Sequence, residues 1–220
     1  MCGRFSQSFS GADIAARFHV ELSAFEAQVS YNIAPSQPVA AVIDDEARRL
    51  ITLRWGLIPH WSKEVKSGYH MINARAETLC DKRSFKEALR LRRCIVVADG
   101  FYEWKHERKD KMPFYIRLKD HSLFGFAGLY DRWVSPGGEV VDSCTIITTE
   151  SNKLIKPVHD RMPVILSEDN EPEWLDPSNQ DTERLQKLLK PHPSHLMELY
   201  RVSNIVNSPA NNTPSCREPF

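Results

Sequence analysis

The stretch from Cys94 to Thr149 constrains the fold of this 220-residue chain more than any other. It reads as five strand-like runs, CIVVADG, FYEWKH, PFYIRL, LFGFAGLYD and VVDSCTIITT, all rich in β-branched and aromatic residues. Such side chains suit a pleated, half-buried surface. The connections are short. HERKDKMP at 106–113 reads as a charged hairpin loop, and Pro136-Gly137-Gly138 as a turn. Parallel neighbours need a crossover of about a dozen residues or more, so runs this close in sequence pair as antiparallel hairpins.

Further strand runs are VAAVI at 39–43, LITLRW at 50–55, PVIL at 163–166 and Leu199 to Val206. Helices are fewer. Ser10 can cap a helix reaching His19, with Ile14 and Phe18 on one face. Ser84 and Glu87 have capping-box spacing at the start of SFKEALRLR. A short helix is expected from Asn152 to Ile155, and TERLQKLLK at 182–190 stops before Pro191. Pro35 and Pro38 mark a loop, GLIPHW at 56–61 is an ordered loop carrying aromatics, and the tail NSPANNTPSCREPF is irregular. The expectation is an α+β fold with a mainly antiparallel, barrel-like sheet and a few flanking helices. With no repeat, low-complexity linker or clear boundary, residues 1–220 read as a single domain.

Composition narrows the function. Apolar residues make up 41% and charged residues 26%, as in an ordinary globular protein. No apolar run approaches the roughly 20 residues of a membrane span. MCGRFSQSFS lacks the basic-then-apolar pattern of a secretory signal, so a cytoplasmic monomer with no membrane partner is expected. The 29 basic and 29 acidic residues balance. A nucleic-acid site must therefore come from a local set of arginines. Phosphate-loop, dinucleotide and zinc-peptidase motifs are absent from the sequence, and no cofactor or metal is expected. His192 and His195 stand three apart without further ligands nearby and read as surface residues.

There are five cysteines and no CxxC pair, which argues against a disulfide framework or structural zinc. Cys94 and Cys144 sit in apolar runs and read as small core residues. Cys2 differs because removal of Met1 makes it N-terminal. Its α-amine and thiol then sit on adjacent carbons, a 1,2-aminothiol. The amine can attack an aldehyde to give an imine, and the thiol can close on the imine carbon to form a thiazolidine. The amine, with a pKa of about 8, is partly neutral and nucleophilic at neutral pH. Gly3 leaves room for a ligand to approach the backbone.

Six ordered blocks surround this cysteine: MCGRF at 1–5, YNIAP at 31–35, RWGLIPHW at 54–61, NARAET at 73–78, ADGFYEW at 98–104 and HDRMPVIL at 159–166. In them the chain resembles the SRAP family, the SOS-response-associated peptidases or abasic-site processing proteins. The resemblance implies a sensor of abasic sites in single-stranded DNA that crosslinks through its N-terminal cysteine and shields the lesion. It also implies a thiol-peptidase activity, including autocatalytic removal of the initiator methionine. Cys2 is then the nucleophile. Asn73 resembles the asparagine that positions cysteine and sugar, Glu103 the catalytic glutamate, and His159 the histidine beside the sugar.

Arg4, Arg75 and Arg161 recur within the blocks as candidate phosphate ligands. Arg83 joins them from the basic segment Lys82 to Arg93, which reads equally as a solvated helix face. Trp55 and Trp61 are candidates for stacking on bases or for core packing, with Pro35 close by. Two other functions fit the same residues: a thiol peptidase or amidase using Cys2, and a non-covalent single-strand binding module.

Overall fold

The computed structural model describes residues 2–21, 28–107 and 110–220. Among the described residues, twelve strands form two sheets. The first contains β1 (Phe5–Gln7), β2 (Ser30–Ile33), β7 (Gly100–Glu107), β8 (Asp110–Leu118) and β12 (Met197–Arg201). It is antiparallel throughout, in the order β12-β8-β7-β1-β2. The second contains β3 (Pro38–Asp44), β4 (Arg48–Trp55), β6 (Arg93–Ala98), β9 (Phe124–Val134) and β10 (Val140–Glu150). Here β10 pairs with β4, β4 with β3, β3 with β6, β6 with β9, and β9 back with β10, closing a five-stranded barrel. The β4–β10 contact is parallel. Two short strands, β5 (Asn73–Arg75) and β11 (Arg161–Pro163), add to β10 beyond the barrel. The fold is α+β and mostly strand, with a barrel at its centre.

The barrel has apolar material on both faces, so β6 and most of β3 are buried on both sides, whereas β4 keeps exposed positions at Arg49 and Thr52. Along β6, Ile95 and Val97 join a cluster with the helices, while Cys94, Val96 and Ala98 point into the cluster between the sheets. This is the period-two alternation of a strand. Phe5 packs edge-on to Trp55 at 5.0 Å and to Phe126 at 5.8 Å, joining the two sheets. Gln7 reinforces the junction: its amide nitrogen donates to the carbonyls of Ala40 and Val97, and its oxygen accepts from Ala40 N–H. Asp99 is the single residue between β6 and β7 where the chain changes sheets. Its buried carboxylate is held by Ser6, Ser8 and Arg217.

Helix α1 (Gly11–Phe18) begins at Ser10, whose hydroxyl accepts from Asp13 N–H while Asp13 reaches back to Ser10 N–H. Ile14, Ala15 and Phe18 are buried on one face. Helix α2 (Arg83–Leu91) departs from expectation. The Lys82 carbonyl accepts from Phe85 and Lys86 N–H, so the helix starts before Ser84, which lies inside it, and Glu87 pairs with Arg92. Helices α3 (Glu171–Leu175) and α4 (Thr182–Lys187) follow, the latter capped by Asp181 and shorter than the pattern suggested.

Other boundaries also move. The β7–β8 ladder continues to the pair Glu107–Asp110, so strands occupy most of the expected loop at 106–113, whose Arg108 and Lys109 lie outside the described residues. Residues 153–158 form turns rather than a regular helix. Asn152 Oδ1 accepts from Leu154 and Ile155 N–H, but Pro157 has no N–H to continue a ladder. PVIL supplies only the end of β11 and a bridge at Ile165. The last strand stops at Arg201, and Asn204–Asn207 is a 3-10 turn.

Candidate functional site

Antiparallel pairing brings the N-terminus to the site. Phe5 opposes Phe101, and Tyr102 N–H donates to the Arg4 carbonyl, so the residues before Arg4 run alongside those after Tyr102. Cys2 therefore lies near Glu103. Cys2 is fully buried, and its thiol lies 3.7 Å from the Arg4 carbonyl. Burial, followed by the neighbouring Glu103 charge, pushes this thiol well above its ordinary range. Glu103 is 3% exposed, and burial pushes its carboxyl up to about 7. Desolvation disfavours the charged form of both groups.

The other two candidates arrive from β10. Asn73, Ala74 and Arg75 run parallel to Ile146–Thr148, while Arg161–Pro163 pair antiparallel with Thr148–Glu150. The NAR and DRMP segments are thus fixed at one end of the barrel. Asn73 Nδ2 donates to the Cys2 carbonyl at 2.8 Å, and its buried Oδ1 has no hydrogen-bond partner among the described residues. His159 stands at the end of the turns after Asn152, and its Nδ1 accepts from Arg161 N–H at 2.9 Å. Burial lowers the pKa of His159, favouring neutral imidazole. Glu103 and His159 line one pocket of about 330 Å³ with Trp104, His106, Lys111 and Asn207. A buried carboxyl that titrates near neutrality, beside a neutral imidazole and an aminothiol precursor, can move protons in carbonyl addition chemistry.

Known proteins share this arrangement of sequence and fold. A family model described as SOS response associated peptidase (SRAP) matches residues 1–209. The chain belongs to the SRAP family. It is 51% identical to the abasic site processing protein YoqW of Bacillus subtilis, over 99% of both chains. It is 37% identical to the abasic site processing protein HMCES of Xenopus tropicalis, over 86% of this chain and 65% of that protein. A crystal structure of a Bacteroides thetaiotaomicron protein superposes with a TM-score of 0.88 at 31% identity, covering all of both chains.

Within this SRAP chain the four residues expected to carry chemistry converge: Asn73 bonds Cys2, Cys2 feels the Glu103 charge, and Glu103 shares a pocket with His159. The expected phosphate and base contacts divide. Arg75 and Arg83 are exposed. Arg83 lies over the Trp61 ring at 4.6 Å, and Trp61 is 43% exposed. Arg161 instead makes a bidentate pair with Glu77 and bonds the Thr148 carbonyl.

Two expectations need correction. Arg4 is buried, and its Nη1 donates to Asn32 Oδ1 and the Val206 carbonyl, making it an internal tie rather than an open phosphate contact. Trp55 is fully buried against Phe5, with its indole N–H on the Ile72 carbonyl, so it offers no face to a base. Pro35 is half-buried in the turn between β2 and β3. The basic segment Lys82 to Arg93 is not one face: Arg92 pairs with Glu87 and Asp131, and Arg93 is buried against the carbonyls of Trp174, Leu89, Arg90 and Asp176.

The C-terminal segment contributes to the pocket without any signature of its own among the sequence motifs. Asn207 lines the pocket and accepts from Trp104 Nε1 at 2.7 Å. Asn32 donates to the carbonyls of Val206, Ser208 and Asn211, holding this segment in place. No spacing rule joins residues so distant in sequence; the signal available was the asparagine within YNIAP. Among the described residues, no helix is long and apolar enough to cross a membrane.

Proposed function

We propose that this SRAP protein senses abasic sites in single-stranded DNA and bonds to them covalently through Cys2, shielding the lesion. Met1 removal frees the α-amine. An abasic sugar is mostly a closed hemiacetal, and opening it moves a proton from the C1′ hydroxyl while one is delivered to the ring oxygen. Glu103, with a carboxyl near neutrality, suits this exchange in either direction. The Cys2 amine adds to the aldehyde carbon, and the hemiaminal loses water with a proton supplied by an acid. The thiol then adds to the imine carbon and its proton passes to nitrogen, closing the thiazolidine. One water leaves overall.

The observation that carries this reading is the grouping of Cys2, Asn73 and Glu103, with Asn73 gripping the Cys2 carbonyl. The upward-shifted thiol favours attack by the amine first, because a thiol peptidase needs a ready thiolate. Asn73 Oδ1 is available to accept from the freed amine or a sugar hydroxyl. His159 faces the sugar as a neutral hydrogen-bonding group. Arg75 supplies a phosphate contact, while Arg83 with Trp61 supplies a stacking platform.

The same residues are candidates for hydrolysing the Met1–Cys2 bond. The imine also opens a lyase route, in which β-elimination would cut the strand; thiol closure diverts it. A denaturing gel of processed protein with single-stranded DNA carrying one abasic site tests the proposal. A heat- and detergent-resistant adduct is expected with wild type and none with Cys2→Ala. An equal yield from Cys2→Ala overturns the mechanism.

A further inference from the structure

The rim of the Glu103–His159 pocket carries hydrogen-bond donors that the chemistry above leaves unused. His106 and Lys111 face each other across the β7–β8 hairpin, and both are exposed. His106 and Lys111 line the same opening as His159. The hairpin's acids stand one pair further out, where Glu107 opposes Asp110 and is itself held by Lys105. Asn207 reaches the same opening from the C-terminal segment, and its oxygen accepts the Trp104 indole N–H. An indole nitrogen only donates, so this contact fixes which way the amide points. Its NH₂ edge is the one left for a ligand. An ammonium, an imidazole and an oriented amide NH₂ thus surround one opening.

We infer that Asn207, Lys111 and His106 form a subsite for the non-bridging oxygens of a phosphodiester adjoining the abasic sugar. Phosphate oxygens only accept hydrogen bonds, and this rim offers them a charge and a fixed donor. The subsite shares the pocket with Glu103, so a phosphate held there flanks the sugar held over the carboxyl. The inference rests on the abasic-site reading and adds the means by which the lesion is held in register before any bond forms.

Binding is measured in the Cys2→Ala background, so that no crosslink intervenes. The probe is fluorescent single-stranded DNA carrying one tetrahydrofuran abasic analogue, read by anisotropy across a salt series. Lys111→Ala should weaken binding severalfold and reduce the salt slope by about one. Asn207→Asp keeps an acceptor for Trp104 but replaces the donor edge with a charge, and should also weaken binding. The double variant should lose about tenfold or more. Unchanged affinity and salt slope in both single variants overturn the subsite. Should Lys111→Ala lower the Tm, Lys111→Gln repeats the test with the side-chain stem retained.

Two shorter probes end at the lesion, one lacking its 5′ phosphate and the other its 3′ phosphate. The effect of Lys111→Ala should vanish on one of them, identifying the phosphate held. Persistence on both means that no single flanking phosphate sits there, and also overturns the inference. Failure of wild-type protein to form an adduct with a natural abasic site would instead count against the covalent function, while this binding result stayed readable.

Discussion

Glu103 sits where its charged form is disfavoured, and that has consequences for both stability and reaction rate. Its carboxyl titrates near 7 in the folded protein against 4.5 in a free chain. Below both values the group is neutral in either state and burial costs little. Between them the folded state holds a proton that the unfolded chain has lost, so stability falls as pH rises from 4.5 to about 7. At 1.36 kcal/mol per pH unit the decline is at most about 3 kcal/mol. Glu103→Gln should remove it, making the variant relatively more stable at pH 8 than at pH 5. Urea unfolding at both pH values checks this, and an identical pH dependence in the two proteins would refute it. The same substitution should slow adduct formation. In wild type the rate should peak where Glu103 still holds a proton and the amine, with a pKa of about 8, begins to lose its own. Loss of the alkaline limb in the Gln variant marks Glu103 as the acid; retention of that limb assigns it elsewhere. Asn73→Ala removes the 2.8 Å bond to the Cys2 carbonyl. It should slow crosslinking about tenfold while lowering stability by only about 1 kcal/mol, measured by single-turnover rates and thermal melts. A large loss of stability with an unchanged rate would assign Asn73 to the scaffold.

At the scale of elements, the site depends on the pairing of β1 with β7 in the first sheet, at its junction with the barrel. Gly100 begins β7, and a Cβ there would stand 2.2 Å from the buried Tyr115 ring. Gly100→Ala should therefore cost about 2–3 kcal/mol or more by overpacking, read as a lowered Tm; a neutral effect would show that the Tyr115 ring can move. The strands were legible because their β-branched and aromatic runs are long and their turns short. The barrel closure was not, since β9–β10 is a local hairpin but β4–β10 and β3–β6 join distant runs. Helix boundaries failed where backbone overrode side chain: the Lys82 carbonyl starts α2 before Ser84 can cap it. The ordered motifs pointed to Cys2, Asn73, Glu103 and His159 as one group, and the fold brings these residues together. Burial of Arg4 and Trp55 was not legible, because an arginine or tryptophan within a motif reads alike whether it holds a ligand or the scaffold. Nor was Asn207, which owes its place to Asn32, some 175 positions earlier.

The whole molecule carries no net charge, so attraction to DNA must come from position rather than total. Arg75, Arg83 and Lys111 are exposed, whereas Arg4, Arg93 and Arg161 are committed to carbonyls or carboxylates of the fold. Neutral overall charge with a few local cations suits binding that ends in a covalent bond, because the bond and not the field then retains the DNA. This bond is expected to form at the freed Cys2 aminothiol. Intact mass spectrometry of the processed protein after reaction with an abasic oligonucleotide decides the point. The expected product is one chain lacking Met1 plus one oligonucleotide minus one water, with the label on the peptide that begins at Cys2. An adduct on a chain that still carries Met1, or on any other peptide, would contradict it.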